Sequence, residues 1–543
     1  MFANQTWLAR GVRALGLMLL LATAACGGMT AEPQIVEVTR VVTQTEVVEV
    51  PMSDMAEMET VVEVEVTREV EVVVGSVSVE QAEAEPPAPR MPEPQGLEAQ
   101  DYGVNPFVTA ATDTLSTFAI DVDTGAYTLM RNYVDDNILP PPNAVRVEEF
   151  VNYFDQQYPI PQDGAFAVHL EAAPSPYGAG YHLLRVGIQG YEVAEEDRPN
   201  ALLIFVVDVS GSMDDSNRLP LVKLALAELV ENLRPTDEIG IVRYGDVAEV
   251  VLLPTAVADK TRILNAIDSL QITGSTNMED GLRLAYDLAD LYAQPGNINR
   301  LIVASDGGAN VGATTAETIL QHAEAGTQLS TFGFGMGSYN DTMMEQLSNQ
   351  GDGSYAYIDD LGEARRVFHD QLLSTILTIA KDAKVQVEFN PNVISEYRLI
   401  GYENRAVADS DFRNDAVDAG EIGAGHSVTA LYEVRFVEGA NVNEAAVTAR
   451  VRYEDPETAE VTEIAQSMAV RDVHAQFTDA TPTFQLSAVV AEYGELLRQS
   501  FWAQDGDWGV LMRDAQRIAE YFPVDGDVQE FANLVVKAGL MNN

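Results

Sequence analysis

The sequence predicts an α/β protein: a doubly wound, mostly parallel sheet, inserted in or flanked by a β-sandwich-like region and followed by a C-terminal helical segment. Three observations carry that prediction. Between residues 197 and 380, short apolar runs alternate with stretches of helical spacing, the pattern of parallel strands joined by crossover helices. On either side, residues 165–189 and 384–453 alternate apolar and polar positions in the two-residue period of strands. Beyond residue 481 the apolar positions return to helical spacing.

At 543 residues the chain is long enough for two or three domains. Residues 1–25 read as a secretory signal: Arg10 and Arg13, the apolar run 15–21, then Ala22-Thr23-Ala24-Ala25 leading into Cys26. Cys26 is the single cysteine, so no intramolecular disulfide can form. Small residues running directly into a cysteine resemble the lipobox of bacterial lipoproteins, although Thr23 stands where Leu is usual. The resemblance implies lipidation at Cys26 and a place on the extracytoplasmic face of the cell membrane. No other apolar run approaches the roughly 20 residues that a membrane-spanning helix needs. Residues 26–100 read as a disordered tether. Val62–Val66 alternates like a strand but has neither partner nor core, and five prolines between 86 and 94 favour extended chain.

Residues 101–196 mix helical and loop signals around the break at Pro140-Pro141-Pro142, then give strand-like runs at 165–172 and 181–189. Residues 197–380 form the α/β domain. Strand 201–207 is almost wholly apolar, as a strand covered on both faces must be. Helix 219–233 stops before Pro235, strand 238–244 and an extended run 248–254 follow, then helices 260–270 and 280–292. Strand 300–304, helix 315–325, strand 329–334, helix 341–349, strand 354–358 and one long helix 362–380 complete it. Residues 381–480 are β-rich and 481–543 helical. Two strands at 165–189 are too few for a sheet with its own core, so they are expected to pair with strands from 383–473. The α/β domain would then interrupt one sandwich, a cheap insertion where the loop ends lie close together.

The formal net charge is -52, which excludes nucleic acid as a partner because phosphate binding needs a basic face. Such a surface stays soluble and attracts cations.

The chemistry gathers in three turns. The first βα turn reads Asp208-Val209-Ser210-Gly211-Ser212, the second Gly274-Ser275-Thr276-Asn277, the third Ser305-Asp306-Gly307-Gly308. In an open α/β sheet, ligands collect beyond the carboxyl ends of the strands, where strand order reverses. One carboxylate and two hydroxyls at alternate positions can face a single point there. Hard oxygen donors of this kind suit Mg²⁺, or Mn²⁺ or Ca²⁺. The bland alternative is that Ser210 and Ser212 merely cap a helix.

Asp208, Ser210, Ser212, Thr276 and Asp306 together resemble the metal-ion-dependent adhesion site of the von Willebrand factor type A domain, matching its five positions in order. Segments at 105–124 and 398–426 also resemble those flanking this domain in bacterial lipid-anchored members. The resemblance implies a membrane-anchored binding or scaffold module. Its metal would recognise a protein partner that offers an acidic side chain.

The rival reading is a metal-dependent hydrolase of phosphate esters, which would need a base beside the ion. Asp121-Val122-Asp123-Thr124 resembles a phosphatase nucleophile loop, but Gly125 breaks the pattern and a turn is expected instead. Asp505-Gly506-Asp507 and Asp525-Gly526-Asp527 do not extend into a calcium loop and read as surface turns. The six histidines are scattered, giving zinc chemistry no support. No catalytic residue is assigned.

Overall fold

The computed structural model describes residues 97–308, 315–320, 326–337 and 339–542. The expected signal segment, Cys26 and residues 26–96 of the expected tether lie outside the described residues. Residues 97–100, expected as disordered tether, are instead docked, with the Glu98 amide donating to the Tyr339 carbonyl at 2.9 Å and Glu98 bridged to Asn340. Among the described residues no helix is long and apolar enough to cross a membrane.

The chain opens with two strands, β1 (Val108–Thr109) and β2 (Leu115–Ala119), then helices α1 (Gly125–Asp135) and α2 (Val147–Asn152). A hairpin of β3 (Phe166–Pro174) and β4 (His182–Gly190) follows. The α/β domain begins with β5 (Ala201–Asp208) and α3 (Leu219–Asn232), whose Pro220 sits in the first turn, where its missing N–H costs nothing. Next come β6 (Glu238–Tyr244), β7 (Glu249–Ala256), α4 (Lys260–Asp268), α5 (Met278–Tyr292) and β8 (Ile298–Ser305). The domain closes with α6 (Ala316–Ile319), β9 (Gln328–Phe334), α7 (Asp341–Asn349), β10 (Tyr355–Ile358), α8 (Leu361–Arg365) and α9 (Leu372–Ile376).

The six strands of this sheet run in the order β10-β9-β8-β5-β6-β7. Every pairing is parallel except β6 with β7, and β7 carries Pro254 on that edge, where a missing donor is tolerated. All eight residues of β5 are buried. Leu203, Phe205 and Val207 pack with α3 and α4 on one face, while Leu202, Ile204 and Val206 pack with α5 and α7 on the other. That two-sided burial, about 1.5–3 kcal/mol per large side chain, explains the unbroken apolar run. The chain leaves β5 towards β6 and later returns to its other side at β8, so strand order reverses beside Asp208.

The expected single helix 362–380 is not one helix. After α8 the backbone widens into a π turn over Arg366–Asp370, α9 ends at Ile376, and β11 (Thr378–Phe389) begins two residues later. Ile379 is buried in the sandwich core and Ala380 pairs with Ile422, so tertiary pairing of a β-branched stretch overrides its helical spacing. The α/β domain therefore gives way to strand before residue 380. Of the expected helix 315–325, the described part is α6, and residues 321–325 lie outside the described residues.

The remaining strands are β12 (Ile394–Ile400), β13 (Gly420–Gly423), β14 (Ser427–Phe436), β15 (Ala445–Glu454) and β16 (Val461–Ala469). One sheet runs β1-β12-β14-β4-β3; the other runs β13-β11-β15-β16, with β2 beside β11. Leu184, Val186 and Ile188 from the first share a core with Val385, Val387, Val447 and Val451 from the second, so the two form a sandwich. The hairpin at 165–190 pairs with β14 across the α/β domain, as the sequence required.

Helices α10 (Pro482–Leu497), α11 (Trp508–Ala519) and α12 (Gly526–Met541) join α1 and α2 in a layer over the outer face of the first sheet, where Ala173, Leu183, Ile400 and Leu431 meet them. Covered on both faces, β4 is buried from Leu183 onward.

Candidate metal centre

Asp208 is the last residue of β5, and its carboxylate is wholly buried. Its Oδ1 accepts the Ser210 amide at 2.8 Å, and its Oδ2 accepts the Ser305 hydroxyl at 2.8 Å. The Ser210 and Ser212 hydroxyls lie 3.0 Å apart; Ser210 is buried and Ser212 exposed, so the cluster opens to solvent on the Ser212 side. Neither serine side chain caps the short turn at Gly211–Met213.

The second loop is stitched to the first: the Gly211 amide donates to the Gly274 carbonyl at 2.8 Å, and the Thr273 amide to the Val209 carbonyl at 2.6 Å. Thr276 is buried just before Asn277, whose side chain caps α5 by accepting the Asp280 amide. The third loop carries Asp306, also wholly buried, whose Oδ1 accepts the Gly308 amide at 3.1 Å. Gly307 sits at φ +76°, and a Cβ there would lie 2.5 Å from the Asn340 carbonyl oxygen, so only glycine fits this turn.

Two buried carboxylates at one sheet edge oppose each other. Burial first, then the charge of Asp306, push the Asp208 carboxyl up to about 7, against the pull of its bonds to Ser210 and Ser305. Tyr244, at the end of β6, is pushed well above its ordinary value by burial and by Asp208. The donor set is all oxygen, with hydroxyls and carboxylates that a hard divalent cation would satisfy, so the residues fit such an ion.

Two residues that the sequence reading missed complete the arrangement. Asp246 accepts the amides of Gly274 and Ser275 at 3.1 and 2.7 Å, and these bonds hold its carboxyl below the usual range. It thereby fixes the loop that carries Thr276. Arg218 donates from Nη1 to Asp306 Oδ2 at 3.0 Å and also bonds the Ser212 carbonyl. Its only sequence signal was a basic residue just before a helix in the loop that also carries the Asp-x-Ser-x-Ser.

The other acidic motifs lie elsewhere. Asp121 Oδ1 accepts the Asp123 amide in a turn, as expected, but both carboxylates are also buried and paired with Arg405 at 3.0 and 2.9 Å. Asp507 and Asp525 cap α11 and α12.

Comparison with known proteins agrees with this architecture. Residues 203–309 match the von Willebrand factor type A domain model, residues 95–185 a model described as von Willebrand factor, and residues 374–541 the C-terminal model of YfbK. YfbK of Escherichia coli (strain K12) is 36% identical over 465 residues, spanning 80% of each chain. The Synechocystis protein sll0103 is 25% identical over 186 residues, covering 34% of this chain and 44% of that one. Among solved structures, a von Willebrand factor type A protein from Catenulispora acidiphila covers 66% of this chain and 88% of its own, with 16% identity and a TM-score of 0.42. The match to YfbK runs through the α/β domain and both of its flanks, and the chain belongs to the YfbK family of von Willebrand factor type A domain proteins.

Proposed function

We propose that this chain is a membrane-anchored, extracytoplasmic binding module that recognises a protein partner through a divalent ion held by Asp208, Ser210, Ser212, Thr276 and Asp306. One observation carries the reading: two wholly buried carboxylates share a sheet edge with buried and exposed hydroxyls, and Arg218 pairs with Asp306 alone, which leaves a buried negative charge that a cation would neutralise. When bound, Mg²⁺ or a similar ion offers a coordination position that a carboxylate oxygen of the partner can complete. Long-range repulsion between an acidic partner and a chain of net charge -52 is screened beyond roughly 8–10 Å, so the local cation decides the encounter. Lipidation at Cys26 would hold the module at the membrane, with residues 26–96 as its tether, since Glu98 is already bridged to Asn340.

A phosphate-ester hydrolase needs a base poised beside the ion. Among the described residues, Asp208 and Asp306 accept hydrogen bonds from main-chain amides, Ser305 and Arg218, which hold and orient the carboxylates, and none of these donors is an imidazole or carboxylate base. The test is capture of envelope proteins by the wild type and by Asp208→Ala, each in Mg²⁺ and in EDTA. A partner retained only by the wild type in Mg²⁺ is expected. Equal capture in all four conditions would remove the metal from recognition.

A further inference from the structure

Arg218 stands at the start of α3, with its side chain turned back under the sheet edge and only 8% of the residue exposed. Its guanidinium ties three loops together. Nη1 bonds Asp306 Oδ2 and the Ser212 carbonyl, and Nη2 donates to the Met336 carbonyl at 2.5 Å, in the loop after β9. That loop is shaped around it: Gly335 takes φ +81°, and a Cβ there would lie 2.4 Å from Arg218 Nε. This arginine is therefore seated among the candidate ligands, against one oxygen of Asp306.

Its charge changes what the site can do. Asp208 and Asp306 bring two negative charges and Arg218 returns one positive. A divalent ion added to the two carboxylates alone makes a neutral centre; added beside Arg218, it leaves one positive charge in excess. We infer that Arg218 is a specificity-determining residue of this site: it weakens the hold on the divalent ion and leaves the loaded centre cationic, so that it selects an anionic ligand group. This rests on the metal-binding reading above and deepens it, because the acidic nature of the partner then follows from a residue of this chain. Arg218 is a positioning residue as well, since it pins one Asp306 oxygen away from any other role.

A purely structural brace and a charge regulator predict opposite signs. If Arg218 only braces the loops, removing it loosens the ligands and weakens metal binding. If its charge opposes the ion, removing it strengthens binding, on the order of tenfold, since a unit charge opposing a divalent one about 6 Å away costs that much even at the dielectric of water. The experiment is titration of the full chain with Mn²⁺ alone, followed by the loss of the free-ion electron paramagnetic resonance signal, for the wild type, Arg218→Gln and Arg218→Lys. Circular dichroism checks that each variant is folded.

Arg218→Gln is expected to bind Mn²⁺ about tenfold more tightly, and Arg218→Lys to stay within about twofold of the wild type. Should Arg218→Gln not fold, Gly335→Ala decides the matter: it crowds the guanidinium off Asp306 without changing any charge, and is expected to tighten Mn²⁺ binding. Weaker or unchanged binding in the folded variants overturns the inference while leaving the metal-binding reading intact. No binding by any of these proteins overturns both. Binding by Arg218→Gln but not by the wild type supports the charge role and removes the reading that the native site is loaded.

Discussion

Val428 on β14 lies opposite Ile188 on β4, and the whole α/β domain lies between them in the sequence. Both side chains are buried in the sandwich core. The inserted domain is thus held at both ends by strands of one sandwich, and the two are expected to melt together. Ile188→Ala should cost about 2–5 kcal/mol and lower a single calorimetric transition. A variant that splits into two transitions, with the α/β part unshifted, would show that the domains are independent.

The buried Asp208 carboxylate links metal binding to stability. Mg²⁺ at about 100 times its dissociation constant should stabilise the wild type by about 2.7 kcal/mol, and Asp208→Asn not at all. In EDTA the variant should be at least as stable as the wild type, because it no longer opposes Asp306. Thermal melts of both proteins with and without Mg²⁺ read this directly, and a Mg²⁺-dependent rise that survives the substitution would place the ion elsewhere.

Glu148 in α2 is buried, and neither of its carboxylate oxygens has a hydrogen-bond partner. Burial, then the charges of Glu403, Asp121 and Glu149, raise its carboxyl to about 8. A folded-state value above the unfolded one means that its neutral form favours folding. That contribution is complete below the ordinary glutamate range and is lost as pH rises towards and through 8. Glu148→Gln should therefore stabilise the protein at pH 8 by roughly 4 kcal/mol, with the advantage fading by pH 5. Urea unfolding at the two pH values checks it; an advantage that grows on acidification would reverse the assignment.

Lipidation is a statement about Cys26 alone. Cys26→Ala should move the protein from the membrane fraction to the soluble one, or trap the unprocessed precursor. Membrane association with normal processing in the variant would rule out the lipid anchor.

The fold was legible where one physical cause dominated. The unbroken apolar run of β5 announced a strand covered on both faces, and Asp208, Ser210, Ser212, Thr276 and Asp306 could be chosen from their turns because strand ends converge at one edge. The same local reading failed after Ile376, where Thr378 and Ala380 pair with β13, over 40 residues further on, against a helical pattern. It also missed β2, which is short and becomes a strand only beside β11. Arg218 was invisible for a different reason: a loop arginine looks solvated until the loop after β9 is folded over it.

The interrupted sandwich also sets an order of events during synthesis. Gln189 and Gly425, which are hydrogen-bonded in the finished protein, are 236 positions apart. As the chain emerges from its N-terminus, β3 and β4 must wait as an isolated hairpin while every strand of the α/β domain is made, and that domain has all its own partners in hand. A lone hairpin is marginal in water and exposes an unpaired edge to neighbouring chains. The nascent protein therefore passes through a stage with a finished α/β domain and an open, adhesive hairpin. That stage ends only when β14 arrives to cover the edge of β4.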